Sequence, residues 1–260
     1  MHDSRSLLSR RFFVECLGGL AALSAAFSAA GSEPSAGERT LQFWFVRHAE
    51  SEINVDTVAH AQTDDGVTYP LTRTGMQQAT TLAEALASTP ITTIYSSTRL
   101  RAIQTADAIA FRHGLNVNLA PEAIEIDLGI PIDAPRGREL YRDLVRKWIV
   151  DRDTNAHIGE GETFVDAQRR FLPFVRELMN RHADDTGVVL IMSHGATLSV
   201  LVPVLATNVP ADFALSHPLL NTSVIKTELS DGKLSCIEWA GIPESEFKSP
   251  AALAQQIPSH

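Results

Sequence analysis

Residues 41–48 read Leu-Gln-Phe-Trp-Phe-Val-Arg-His, a short apolar run that ends in two polar side chains. A run of aromatic and branched residues of this length, interrupted only by Gln42, is typical of a strand that is buried on both faces. We therefore predict a buried strand at Leu41–Val46. Arg47 and His48 follow it directly, at the strand end where open α/β sheets bind their ligands.

Outward from this strand, strand and helix patterns alternate along the chain, which favours an α/β domain with a mostly parallel central sheet. The predicted strands are Leu41–Val46, Ile91–Tyr95 and Val188–Met192, with a closing pair at Ser223–Leu229 and Leu234–Trp239 around Asp231-Gly232. The predicted helices are Thr74–Ser88, Arg99–Phe111, Leu140–Val150, Phe164–His182 and a helix from Gly195 through Leu205. We expect one domain at 41–242 and a C-terminal tail at 243–260.

The composition excludes some functions but does not identify one. The chain has 260 residues, of which 44% are hydrophobic, enough for one globular domain with a sizeable core. Its formal net charge is -9, which argues against a non-specific nucleic-acid partner, because such surfaces are rich in Lys and Arg. An acidic protein can still bind an anion in a pocket where its few cations converge.

The amino terminus differs in composition from the rest of the chain. Arg10-Arg11-Phe12-Phe13 precedes an uncharged stretch, Cys16–Ala30, that is too short to span a bilayer as a helix. This pattern predicts an export signal at 1–30 of the twin-arginine type, followed by a linker at 31–40 and a periplasmic or secreted domain. The alternatives are an uncleaved anchor and a chance arginine pair before a buried helix. Removal of the signal would leave Cys236 as a lone cysteine, so no internal disulfide could form.

Three motifs follow predicted strands. Residues 46–54 read V-R-H-A-E-S-x-x-N, residues 96–106 read S-S-x-x-x-R-A-x-Q-T-A, and Ser193-His194-Gly195 comes after the third strand. Together with Leu71-Thr72-x-x-Gly75-x-x-Gln78-Ala79 and Gly161-Glu162-Thr163, they resemble the histidine phosphatase superfamily, in its phosphoglycerate-mutase-like branch 1. The resemblance runs from about Gln42 to about Trp239 and implies a three-layer α/β/α fold.

The chemistry of these residue types fits phosphate. Arg47 and Arg101 carry planar guanidinium groups that suit phosphate oxygens, and His194 and Asn54 add further donors. The resemblance implies that His48 is the nucleophile and becomes a phosphohistidine. Nearby guanidinium groups should disfavour the imidazolium and keep a lone pair on His48. We expect no metal or other cofactor, because the arginines supply the positive charge.

A leaving alkoxide also needs a proton donor. The resemblance places a Glu in an E-x-D-x-G segment, and Glu125-Ile126-Asp127-Leu128-Gly129 matches it. Glu125 is the expected general acid, with Asp127 and Glu122 as alternatives and a structural salt bridge as the non-catalytic interpretation.

The chain departs from the family pattern in several places, of which the segment after Gly129 bears on substrate choice. Ala49 replaces a usual Gly, and Arg99 stands where an apolar residue is usual, either at the pocket rim or facing solvent. We expect a lid insertion around 130–160, whose Arg136, Arg138 and Arg142 either contact a second anionic group or form a solvated face.

These observations favour a metal-independent phosphomonoesterase that acts on a phosphorylated small molecule or a phosphoprotein. The alternatives are a phosphoglycerate mutase-type phosphotransferase and a phosphate-binding module without turnover.

The export prediction can be tested by replacing Arg10 and Arg11 with Lys and assaying cell fractions. We expect the variant to stay inside the cell, because the export machinery recognises the paired arginines. Unchanged export would rule out the twin-arginine route.

Overall fold

A computed structural model describes residues 40–55, 69–129 and 137–248, without the side chain of Arg138. The predicted export signal and linker therefore lie outside the described residues, apart from Thr40, and so does Arg136. No helix in these three ranges is long and apolar enough to cross a bilayer.

The described chain alternates strands and helices as the sequence predicts. The strands are β1 (Leu41–Arg47), β2 (Ile91–Ser96), β3 (Val117–Leu119), β4 (Gly187–Ser193), β5 (Val224–Ser230), β6 (Lys233–Trp239) and β7 (Ile242–Pro243). The helices are α1 (Arg73–Ala85), α2 (Leu100–His113), α3 (Gly137–Ile149), α4 (Phe164–Arg181), α5 (Gly195–Leu205) and α6 (Ala211–Ser216). The longer predicted elements begin and end within a few residues of these bounds.

The strands form one sheet in the order β3-β2-β4-β1-β5-β6-β7. The four strands from β3 to β1 are parallel, and β5, β6 and β7 are added by antiparallel pairing. The α/β class is confirmed. The sheet is mixed, because the closing hairpin and β7 add an antiparallel half to the parallel part.

Each face of the sheet carries helices, which confirms the three-layer arrangement. On β1, Phe43 and Phe45 face one core together with residues of α3, α4 and α5. Trp44 and Val46 face the other core, which α1 and α2 cover. Both sets are buried, so the nearly continuous apolar run of β1 follows from burial on two sides.

The strand register brings the predicted functional segments to one edge of the sheet. Arg47 is opposite Ser193 on β4, and Ser96 on β2 is opposite Met192. His48, Ser97 and His194 are the next residues of these three strands. They therefore leave the sheet side by side.

Among the described elements, β3 and α6 have no clear signal in the sequence. The edge strand β3 has only three residues and is largely exposed, so it lacks the apolar run that marks a buried strand. The short helix α6 is also below the length at which periodicity can be read. The tail expected from residue 243 begins with packed residues, since Phe247 lies 4.9 Å from the Phe213 ring.

The described part of the expected lid consists of α3 and the loop after it. Leu144, Val145 and Trp148 on α3 are buried in the core that includes Phe43 and Phe45. The Trp148 ring stacks on Phe164 at 5.5 Å, and its Nε1–H donates to Ala156 O at 2.8 Å. This segment is thus anchored on the domain along its length.

Side chains of α1 and α2 hold the loop that follows His48. Thr105 Oγ1 accepts from Ala49 N at 3.0 Å, and Gln78 Oε1 accepts from Glu50 N at 2.8 Å. Thr72 N donates to Glu50 O, and the Thr72 hydroxyl donates to the Glu50 carboxylate at 2.6 Å. The Thr72, Gln78 and Thr105 motif positions therefore fix the backbone next to His48.

Gly75 allows α1 to approach this loop. A Cβ atom at position 75 would lie 1.8 Å from Glu50 O, a backbone atom that cannot rotate away. We expect Gly75→Ala to lower the free energy of unfolding by about 1–3 kcal/mol, as overpacking does, despite the gain of about 1 kcal/mol in helix propensity. Urea unfolding measures this change. Gln77→Ala on the exposed side of α1 is the control, and a Gly75→Ala protein as stable as this control would contradict the assignment.

Candidate active site

His48 is fixed at the end of β1 with one ring nitrogen unprotonated. Its backbone N–H donates to Ser193 O at 3.1 Å. Its Nδ1 lies 2.7 Å from Ala49 O, and a carbonyl can only accept, so Nδ1 carries the hydrogen. Nε2 then carries the lone pair, towards which Arg101 Nε–H points at 3.2 Å.

Burial keeps this imidazole neutral. The pKa of His48 is well below its usual value, first because the ring is buried and then because Arg101 and Arg47 lie nearby. The arginines alone were the expected cause, and the structure adds desolvation as the larger one. A neutral His48 can act as a nucleophile through Nε2.

His194 lies beside His48 in the same buried space. The two ring centroids are 5.0 Å apart, and His194 Nε2 lies 2.7 Å from Ser97 Oγ. The pKa of His194 is also well below its usual value, because of burial first and then Arg101 and His48. Ser97 Oγ accepts from Arg99 N at 3.3 Å, so the serine hydrogen can go to His194 Nε2. In that arrangement Nδ1 carries the hydrogen of His194.

Arg47 and Arg101 bring two guanidinium groups to these imidazoles. Arg101 is buried, and Arg47 is largely buried with its Nη1 donating to Leu219 O. Burial lowers the pKa of Arg47, while the charge of Glu125 opposes this shift. A Cβ at position 195 would lie 3.3 Å from the Arg47 guanidinium carbon, so Gly195 leaves room for that group.

Among the described residues, buried polar atoms of this cluster without a hydrogen-bond partner include Arg47 Nε and His194 Nδ1. An unsatisfied buried donor costs about 1–3 kcal/mol. Oxygen atoms of a bound anion would satisfy such donors, so this arrangement fits an oxyanion.

Glu125 is held by the first turn of α5, immediately after His194. Its carboxylate accepts from the backbone N–H groups of Ala196 and Thr197 at 3.2 and 2.8 Å. The charge of Glu125 acts on Arg47 and on the half-buried Tyr141 of α3. Glu125 therefore belongs to the same electrostatic cluster as Arg47.

The two alternative acids have other surroundings. Asp127 is exposed, and its Oδ1 accepts from Gly129 N at 2.9 Å within a turn. Glu122 is half-buried, and its carbonyl accepts from Arg170 at 2.6 Å. The structure thus favours Glu125 among the three carboxyl groups.

The matching family model covers residues 43–241 and describes the histidine phosphatase superfamily, branch 1. The chain belongs to this superfamily. A protein of Yersinia pestis (strain Pestoides F) named Probable phosphoglycerate mutase GpmB is 30% identical over 203 residues, which are 76% of this chain and 90% of the relative.

Solved structures of the superfamily fold are also similar. A mycobacterial glucosyl-3-phosphoglycerate phosphatase matches with a TM-score of 0.61 and 25% identity, over 76% of this chain and 98% of that one. The alpha-ribazole phosphatase of Shigella flexneri matches with a TM-score of 0.59 and 23% identity, over 76% and 96% of the two chains. At 23% identity, the likeness to the Shigella flexneri structure shows a common fold alone.

Asn54 lies at the rim of the histidine phosphatase site. Its Oδ1 accepts from Ser51 N at 3.1 Å and so closes the short turn after His48. The residue is exposed, and Asn221 Nδ2 approaches its Oδ1 at 3.3 Å. Asn54 is thus more exposed than either arginine of the cluster.

Four residues of the cluster had no assigned role from the sequence. Ser97 belongs to the motif at residues 96–106, but only the structure shows its contact with His194. Asn221 donates to His48 O at 3.0 Å, and Thr222, in the left-handed region at φ 64°, donates its N–H to Arg47 O at 3.1 Å. Tyr141 was missed as well, and burial and Glu125 raise its pKa. Apart from the motif around Ser97, none of the four carries a signal that distinguishes it from an ordinary loop or helix residue.

The outlying arginines differ in their placement. Arg99 is half-buried at the start of α2, and its charge contributes to lowering the pKa of His194. This favours the pocket over open solvent for Arg99. Arg142 is exposed on α3. In the three described ranges, no three His, Cys, Asp or Glu side chains are grouped so that they could hold a metal ion.

The depressed pKa values of His48 and His194 predict acid sensitivity. Below about pH 6.5 the histidines of the unfolded chain take up protons, whereas these two stay neutral in the folded chain. The unfolding free energy should therefore decrease as the pH falls from about 7 to 5, by up to about 1.4 kcal/mol per pH unit for each group.

His48→Asn should make this decrease shallower by removing one of the two groups. Urea unfolding in phosphate-free buffers across that pH range measures the slope. His157→Asn replaces an exposed histidine and should leave the slope unchanged. Equal slopes for His48→Asn and the wild type would show that His48 is not held neutral.

Proposed function

We propose that the chain hydrolyses a phosphate monoester through a phosphohistidine on His48, without a metal ion. The observation that carries the proposal is the unprotonated Nε2 of a buried, neutral His48 beside two arginines and a second imidazole. A dianionic ester would repel a nucleophile unless positive groups neutralise its charge. Arg47 and Arg101, which lie beside the buried His48, meet this need.

In the first step, Nε2 of His48 forms a bond to phosphorus as the bond from phosphorus to the ester oxygen breaks. Arg101, which donates to Nε2 before substrate binds, turns its guanidinium hydrogens to the phosphate oxygens. Arg47 and His194 Nδ1 donate to the same group of oxygens. Glu125 gives its proton to the departing ester oxygen, so that an alcohol leaves rather than an alkoxide.

In the second step, water attacks the phosphohistidine. The Glu125 carboxylate takes a proton from the water as its oxygen bonds to phosphorus, and the nitrogen–phosphorus bond breaks. Inorganic phosphate leaves, His48 regains its lone pair and Glu125 regains its proton. The roles of acid and base thus alternate on one carboxyl group.

A mutase is the second candidate, because the 30% identical relative has phosphoglycerate mutase in its name. A mutase must keep its phosphoryl group from water, and its glycolytic substrates are inside the cell. Export, which we propose from Arg10 and Arg11, would separate the enzyme from them. The glucosyl-3-phosphoglycerate phosphatase among the similar structures also favours hydrolysis, with a phosphorylated small molecule as the substrate.

The purified domain should release p-nitrophenol from p-nitrophenyl phosphate, and EDTA should not change the rate. We expect His48→Ala to abolish turnover and to prevent acid-labile labelling by a radioactive phosphoryl group, because the nucleophile is gone. His157→Ala removes an exposed histidine and should retain both.

Each alternative has its own outcome in this assay. Binding of phosphate without turnover at any pH from acidic to neutral would favour a binding module. Isomerisation of a phosphoglycerate without phosphate release would favour a mutase, and inhibition by EDTA would contradict the metal-free mechanism.

A further inference from the structure

The two oxygens of the Glu125 carboxyl group have different surroundings. Oε1 lies 2.8 Å from Thr197 N, 2.9 Å from the Thr197 hydroxyl and 3.1 Å from Ile126 N. Oε2 receives one described donor, Ala196 N at 3.2 Å. A carboxylate oxygen has two lone pairs, so three donors occupy Oε1 fully while Oε2 keeps a position for a proton.

We propose, building on the hydrolysis proposed above, that Thr197 is a positioning residue that reserves Oε2 of Glu125 for the transferred proton. Thr197 acts through Glu125 and does not touch the reacting atoms. Its hydroxyl occupies Oε1, so the proton that protonates the leaving group is carried on the other oxygen.

The hydroxyl hydrogen of Thr197 is available for this contact. Thr197 is fully buried, and its Oγ1 also lies 2.9 Å from Ile124 O. Ile124 O, however, already accepts from Arg170 Nη1 at 3.1 Å. A hydroxyl has a single hydrogen, and Oε1 is the stronger acceptor of the two once Glu125 has given up its proton and is a carboxylate.

The backbone around Glu125 is fixed independently of Thr197. Arg170 makes a two-point contact with Glu162, at 3.0 and 2.9 Å, and Glu162 also accepts from Asp127 N at 2.9 Å. Loss of the Thr197 hydroxyl should therefore leave the segment in place. The other three donors to Glu125 are backbone groups, so the hydroxyl is the contact that substitution can remove.

The test compares kcat/KM for p-nitrophenyl phosphate and phenyl phosphate, which have similar shapes. Phenolate is the more basic leaving group and depends more on a general acid. Thr197→Val should lower kcat/KM for phenyl phosphate about tenfold and for p-nitrophenyl phosphate less than about threefold, the size of one lost hydrogen bond to a charged group. Thr197→Ser should restore both values.

Two further variants separate this role from a structural one. Thr227→Val is the matched control, because Thr227 is equally buried and donates to a backbone carbonyl, Phe43 O at 2.8 Å, elsewhere in the sheet. It should leave the ratio of the two kcat/KM values unchanged. In a Glu125→Gln background, Thr197→Val should have no further effect on that ratio, because both act on one group.

If Thr197→Val lowered kcat/KM equally for both esters, the positioning role would be wrong. A full additional decrease of kcat/KM in the Glu125→Gln background would contradict it as well. Should the valine variant not fold, Thr197→Ala removes the same hydroxyl and gives the same comparison. A wild-type protein that turned over neither ester would instead refute the proposed hydrolysis, and this inference with it.

Discussion

The parallel pairing of β1 with β4 is the contact on which the site depends. It places Arg47 opposite Ser193, so His48 and His194 leave adjacent strands at the same level. His48 then donates its backbone N–H across this pair to Ser193 O. A slip of one residue would turn every apolar side chain of β1 to the other face, so the two cores hold this register firmly. The position of the imidazoles is therefore a product of core packing.

The electrostatics of the cluster follow from burial. Charged imidazoles would lose hydration here and be repelled by two guanidinium groups, so the neutral form prevails for both histidines. When ionised, Glu125 supplies the opposite charge and is stabilised at the amino end of α5, where backbone N–H groups converge. The first turn of α5 thus follows His194 directly and also holds Glu125, the carboxyl group that we propose exchanges protons.

The sequence could predict the elements that show a hydrophobic pattern and the functional residues that follow the ends of buried strands. Burial on both faces makes β1 and β4 continuous apolar runs, and their ends locate Arg47, His48 and His194. It could not predict β3, whose three exposed residues carry no pattern, nor the contacts of Ser97 and Asn221, which depend on side-chain directions in the folded chain. The sequence predicted that guanidinium groups lower the pKa of His48. It did not predict burial, the larger cause, because desolvation can be judged only when the surrounding atoms are known.

The unsatisfied donors of the cluster link anion binding to folding stability. Arg47 Nε and His194 Nδ1 are buried without a protein partner among the described residues, so the folded domain bears a cost for holding them ready. An oxyanion that binds only the folded chain removes part of that cost and shifts the folding equilibrium towards it. The domain is therefore least stable when it is ready to receive substrate, and its resistance to unfolding depends on the concentration of oxyanions around it.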